Sequence, residues 1–160
     1  MQFVQQLING LTIGAFYALV ALGYTMVYGI IELINFAHGE IYMIGAFTAL
    51  IVSSVLAFAG FSGLSVLSLA AAVAIIYSAA YGFTVEKIAY KPLRQASRLA
   101  PLISAIGMSI FLQNYVMLAQ TSDFLPFPSL LPELPFLEEL ELSIGSTELI
   151  ILMTTAVSMV

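Results

Sequence analysis

The stretch IYMIGAFTALIVSSVLAFAGFSGLSVLSLAAAVAIIYSAAYGFTV, Ile41–Val85, carries no charged side chain over about 45 residues. An α-helix crosses a bilayer in about 20 apolar residues, so this run holds two crossings. AGFSG at Ala59–Gly63 divides them, because closely spaced glycines accept turn dihedrals. The rest of the chain decides between buried core and lipid. Of 160 residues, 61% are hydrophobic and 8% charged, whereas a soluble domain is about 25% charged. A chain of this length folded in water could not hide so much apolar surface. The expected fold is all-α, a polytopic transmembrane helix bundle.

Working outward, residues 7–31 form span 1, 41–58 span 2, 64–85 span 3 and 99–120 span 4. Pro101 fits the first turn of span 4, where a missing N–H costs nothing. Residues 148–160 start a fifth span but are too few to complete it, so the expectation is a single membrane domain truncated on its C-terminal side. Met1–Ile31 has no Lys or Arg and too long an apolar run for a cleaved leader, so it reads as a retained helix.

Orientation follows from the cations. All four, Lys87, Lys91, Arg94 and Arg98, fall in KIAYKPLRQASR. Positive charge in a short loop marks the cytoplasmic side, so loop 86–98 is expected inside and loop 121–147 outside. The outer loop holds Asp123, Glu133, Glu138, Glu139 and Glu141 among Pro126, Pro128, Pro132 and Pro135, which exclude a regular helix. No basic tract interleaved with aromatics exists, which argues against nucleic acid. Cysteine is absent, so disulfides and thiolate metal sites are excluded. No cofactor is expected.

The scarce polar groups gather in ELINFAHGEIY, Glu32–Tyr42, between spans 1 and 2. A carboxylate at mid-bilayer costs about 2.5–3.5 kcal/mol on insertion scales. Glu32, Asn35, His38 and Glu40 are tolerable at an interface or around water. Two readings stand: a polar interfacial turn, or a re-entrant element beside a polar pathway. His38 and Glu40 lack the i, i+4 spacing of a helical metal pair, and His38 is the one histidine of the chain. That histidine makes no catalytic triad by itself. Gly10, Gly14 and Ala18 form a stripe of small residues at intervals of four, suited to close helix packing or to bending. Tyr17 and Tyr24 fall near mid-span, where each hydroxyl needs a partner: a polar pathway or an interhelical hydrogen bond.

NGLTIGAFYALVALGYTMVYGIIELINFAHGEIYMIGAF, VEKIAYKPLR at Val85–Arg94 and LISAIGMSIFLQNYV at Leu102–Val116 resemble, in order, the H-type permease subunit of branched-chain amino acid ABC importers. The resemblance covers about Asn9–Met117, and the INFAHGE and SAIGMSIFLQN blocks are specific to that group. At position 32 this chain has Glu where the family pattern has Gly. The resemblance implies a transport subunit, not an enzyme, in the bacterial inner membrane. It implies as partners an M-type permease, two ATP-binding subunits and a periplasmic substrate-binding protein. No G-x-x-x-x-G-K-[ST] phosphate loop occurs in the chain, which fits ATP hydrolysis by another subunit. Leucine, isoleucine and valine are the implied cargo. Alternatives are another small solute of the same family, such as urea, short amides or carboxylates, or a channel or secondary carrier acting alone. Asn35, His38, Glu40, Tyr17 and Tyr24 are the candidate path or gate residues.

Overall fold

The computed structural model describes residues 2–32, 34–97, 99–121, 123, 125–127 and 146–159. Among them every regular element is helical: α1 (Gln2–Ile31), α2 (His38–Phe58), α3 (Leu64–Val85), α4 (Leu99–Ala119) and α5 (Ser146–Met159). After α3 the backbone continues as a π-helical turn, Glu86–Tyr90, and then a 3₁₀ turn, Lys91–Leu93. Arg98 and most of the acidic, proline-rich loop expected outside, including Glu133, Glu138, Glu139 and Glu141, lie outside the described residues.

Four helical segments are long and apolar enough to cross a membrane: Phe3–Gly29, His38–Phe58, Leu64–Leu93 and Leu99–Ala119. The apolar part of α5, Leu149–Ser158, is shorter. Large side chains such as Phe58, Ile75, Ile76 and Leu118 stand exposed on these helices. In water such surfaces would drive aggregation; hydrocarbon requires them. The chain is a multi-pass helical membrane protein.

The contacts divide into two compact units, Met1–Met26 with Leu131–Val160, and Val27–Leu130. In the first, Thr155 of α5 is buried. Its hydroxyl donates to the Ile151 carbonyl at 2.7 Å and approaches the Ala15 carbonyl of α1 at 3.5 Å. In the second unit, α2 and α3 make the most extensive helix–helix contact. Val66, Ala70 and Ser53 are almost fully buried, and the Ser53 hydroxyl is satisfied by the Leu50 carbonyl at 2.9 Å. The main apolar cluster is Ala37, Ile44, Val85, Ala89, Tyr90, Ala105, Leu112 and Val116. It gathers where the first half of α2 meets the π turn and α4.

The π turn has a cause in the sequence. Pro92 has no N–H to donate to the Ile88 carbonyl four residues earlier, and its ring crowds that carbonyl. The helix therefore widens over Glu86–Tyr90 and tightens into the 3₁₀ turn at Pro92 rather than running straight on.

Glu32 ends α1 in a left-handed conformation, φ 55°, the one non-glycine residue with positive φ among those described. Its N–H still reaches the Tyr28 carbonyl at 2.8 Å. Here a chain leaving a helix ordinarily places glycine, and an L side chain pays about 1–2 kcal/mol. The Gly-to-Glu difference noted at position 32 thus falls where the backbone most favours glycine. Glu32→Gly is expected to stabilise the protein by about 1 kcal/mol, seen as a higher midpoint of thermal unfolding in detergent. A lower midpoint contradicts that reading.

Candidate functional site

The α1–α2 junction is built around Asn35. Its side-chain Oδ1 accepts the Ala37 N–H at 3.1 Å, and its backbone carbonyl accepts the His38 N–H at 3.1 Å. This folds residues 35–38 into a tight turn and starts α2 at His38, so His38 and Glu40 sit in the first helical turn. Glu40 is the acidic residue there, where the exposed N–H groups of a helix start favour negative charge.

A second donor reaches the same Asn35 oxygen. The Tyr90 hydroxyl, at the end of the π turn, lies 2.6 Å from Oδ1. Asn Oδ1 has two lone pairs, and these two contacts fill them. Tyr90 is 4% exposed, so its hydroxyl would be costly without this partner.

Two further hydrogen bonds close the arrangement. Ser109 of α4 donates to Glu40 Oε1 at 3.0 Å. Ser104 of α4 donates to the Ala89 carbonyl at 3.1 Å, tying the π turn to that helix. The junction, the π turn and α4 are joined pairwise by polar contacts inside an otherwise apolar cluster. His38 is half-buried at the first position of α2.

Beside this node, Arg94 pairs with Glu86 at 2.7 Å, and the Lys87 ammonium lies 5.8 Å from the Phe83 ring centroid. One acid and one ring face thus hold two of the cations, while Lys91 is exposed. Higher on α3 and α4, Tyr77, Tyr81, Phe111 and Tyr115 form a run of rings. Tyr77 and Tyr81 are 5.1 Å apart, and Phe111 and Tyr115 stack at 6.5 Å. The Tyr81 and Tyr115 hydroxyls meet at 3.4 Å.

Asn35 and Glu40 are therefore each joined to a partner from distant sequence, Tyr90 and Ser109 respectively. Tyr17 and Tyr24 belong to α1 in the other unit, Tyr17 exposed and Tyr24 half-buried. A Cβ at Gly10 or Gly14 would meet nothing within 4 Å. Among the glycines whose surroundings are described, the one in closest contact is Gly45 of α2, where a Cβ would stand 2.5 Å from Ser78 Oγ of α3.

Among the described residues, four apolar helices, a polar node at one helix junction and a basic turn next to it define a multi-pass helical membrane protein. The chain matches the family model of the branched-chain amino acid transport system permease component over residues 6–159 and belongs to that family. It is 58% identical over 131 residues to the high-affinity branched-chain amino acid transport system permease protein BraD of Pseudomonas aeruginosa, covering 81% of this chain and 43% of BraD. It is 52% identical over 131 residues to the permease protein LivH of Salmonella typhimurium, and 50% identical over the same length to LivH of Escherichia coli K12. Those matches cover 81% of this chain and 42% of each LivH, so the chain spans about two fifths of the length of these relatives. No solved structure matches it.

Proposed function

We propose that this chain is the N-terminal part of a permease subunit that carries leucine, isoleucine and valine across a bacterial inner membrane as part of an ABC importer. The observation that carries the proposal is the 58% identity to BraD over 81% of the chain, in a family described as branched-chain amino acid permeases. The subunit forms the membrane path and has no catalytic role. ATP hydrolysis belongs to two separate ATP-binding subunits, an M-type permease completes the path, and a periplasmic binding protein delivers the solute.

In this reading loop 86–98 faces the cytoplasm and loop 121–147 the periplasm, in keeping with the cluster of all four cations in the former. The α1–α2 junction then lies at the cytoplasmic end of the path, where Asn35, His38 and Glu40 act as a gate. Polar groups there are supported by hydrogen bonds that an apolar helix pair would not need. Tyr17 and Tyr24 line the path on α1, and the stripe Gly10, Gly14 and Ala18 serves helix packing.

The test is leucine uptake by the complete importer, with a full-length permease carrying this segment, in proteoliposomes. Uptake is expected to require ATP and binding protein. Asn35→Ala, His38→Ala and Glu40→Ala are each expected to lower it at least about fivefold at equal membrane abundance, a loss of about 1 kcal/mol of coupling or more. Normal uptake in all three removes the gate. Uptake without ATP assigns the chain to a carrier that acts alone.

A further inference from the structure

We propose that Tyr90 is a positioning residue for the gate: its hydroxyl transmits the setting of the basic turn Lys87–Arg94 to Asn35 at the α1–α2 junction. The proposal rests on the permease reading for its effect on transport, though not for the contact itself.

Burial of the ring does not explain a tyrosine here. The ring lies in the cluster with Ala37, Ile44, Ala89 and Ala105, which a phenylalanine would fill as well. The hydroxyl is the added element, and it crosses 55 positions of sequence to reach Asn35 at 2.6 Å, the short end for a hydroxyl donor. The acceptor is the same oxygen that fixes the turn before α2 through the Ala37 N–H. Moving Tyr90 therefore disturbs the turn that starts α2.

Tyr90 can be moved because of where it sits. It is the last residue of the π turn, and Lys91 opens the 3₁₀ turn that follows. One peptide bond separates a hydroxyl buried at the junction from an exposed cation. A π turn holds an extra residue relative to an α-helix. Absorbing it would rotate Tyr90 about 100° around the axis and take the hydroxyl off Asn35. The surroundings give this switch fixed walls. Ser104 ties the Ala89 carbonyl to α4, and Ser109 ties Glu40 of α2 to the same helix. The Arg94–Glu86 pair spans both turns, from the first residue of the π turn to the residue after the 3₁₀ turn. A partner that engages the basic turn thereby acts on Asn35.

The experiment uses the complete importer in proteoliposomes, with Tyr90→Phe and, as control, Tyr81→Phe. The control removes a tyrosine hydroxyl of α3 that meets Tyr115 rather than Asn35. A single thiol, Phe36→Cys, reports on the junction; residue 36 is exposed, and these 160 residues contain no cysteine of their own. In a cysteine-free background, Tyr90→Phe is expected to raise the maleimide labelling rate of residue 36 about three- to tenfold, the range of one hydrogen bond. Leucine uptake per ATP hydrolysed is expected to fall about tenfold at equal membrane abundance. Tyr81→Phe is expected to stay within about twofold of the parent in both readouts.

A purely structural tyrosine would lower abundance, ATP hydrolysis and uptake together and leave their ratio unchanged; that result overturns the proposal. So does an unchanged labelling rate in Tyr90→Phe, faster labelling with normal coupling, or a loss in Tyr81→Phe as large as in Tyr90→Phe. Faster labelling in Tyr90→Phe, together with a parent complex that takes up no leucine, supports the contact and removes the permease reading instead.

Discussion

Gly45→Leu is expected to separate α2 from α3 and to reduce the folded permease in the membrane by tenfold or more. A Cβ at position 45 would already stand 2.5 Å from Ser78 Oγ and 3.7 Å from Ser78 Cβ. The first contact is relieved by rotating the serine hydroxyl; the second is ordinary. A leucine adds three more carbons between two helix backbones that have no room for them. In lipid no hydrophobic gain offsets the separation, because apolar contacts with neighbouring helices and with acyl chains are nearly equivalent. Overpacking of this kind costs about 1–3 kcal/mol in soluble cores. The α2–α3 contact is the largest in its unit, so the upper end applies. Gly45→Ala is expected to cost less than about 1 kcal/mol, and Gly45→Ala with Ser78→Ala less again, since the close oxygen is gone. The measurement is the thermal midpoint in detergent beside membrane abundance. A Gly45→Leu protein as stable and abundant as the parent contradicts close packing at this point.

The second large effect concerns orientation. Lys87, Lys91, Arg94 and Arg98 are the four cations of these 160 residues, so among the loops of this segment theirs has the strongest pull toward the cytoplasm. Topology follows lysine and arginine near the ends of spans. Replacing all four by glutamine, and adding four lysines within residues 121–127, is expected to invert spans 3 and 4 or block their insertion. Either outcome is all-or-none for transport. Retained orientation would mean that the order of insertion, not this cluster, sets the topology.

The spans and the α1–α2 junction differ in how far the sequence reveals them. The spans are legible because lipid imposes a simple condition: every backbone polar group must be paired within its own helix over an uncharged length. Ile41–Val85 meets it twice, and AGFSG is where α2 gives way to α3, with Gly60 and Gly63 at φ 86° and 74°. The start of α2 is less legible. His38 and Glu40 read as part of a polar turn, yet they are helical, because the Asn35 side chain supplies the acceptor that closes the turn before them. The partners of the junction were not legible at all. Tyr90 and Ser109 lie 55 and 69 positions from Asn35 and Glu40, and only the packing of α4 and the π turn against α2 brings them together. Pro92 gave a signal for the irregular turn but not for its register. The stripe Gly10, Gly14 and Ala18 has the spacing of a packing face, whereas the close contact is at Gly45, whose importance depends on which residue of α3 lies opposite.

Site-directed labelling of the two ends of α4 is the most direct test of the central claim, that these apolar segments cross the bilayer with the basic turn in the cytoplasm. Gln95 and Asp123 are exposed beyond either end of that helix; these 160 residues contain no cysteine, and in a permease made cysteine-free throughout each variant carries one thiol. In intact cells a membrane-impermeant maleimide admitted to the periplasm should label Asp123→Cys and leave Gln95→Cys unmodified, with the pattern reversed in inside-out vesicles. Labelling of both positions from one side would contradict the account.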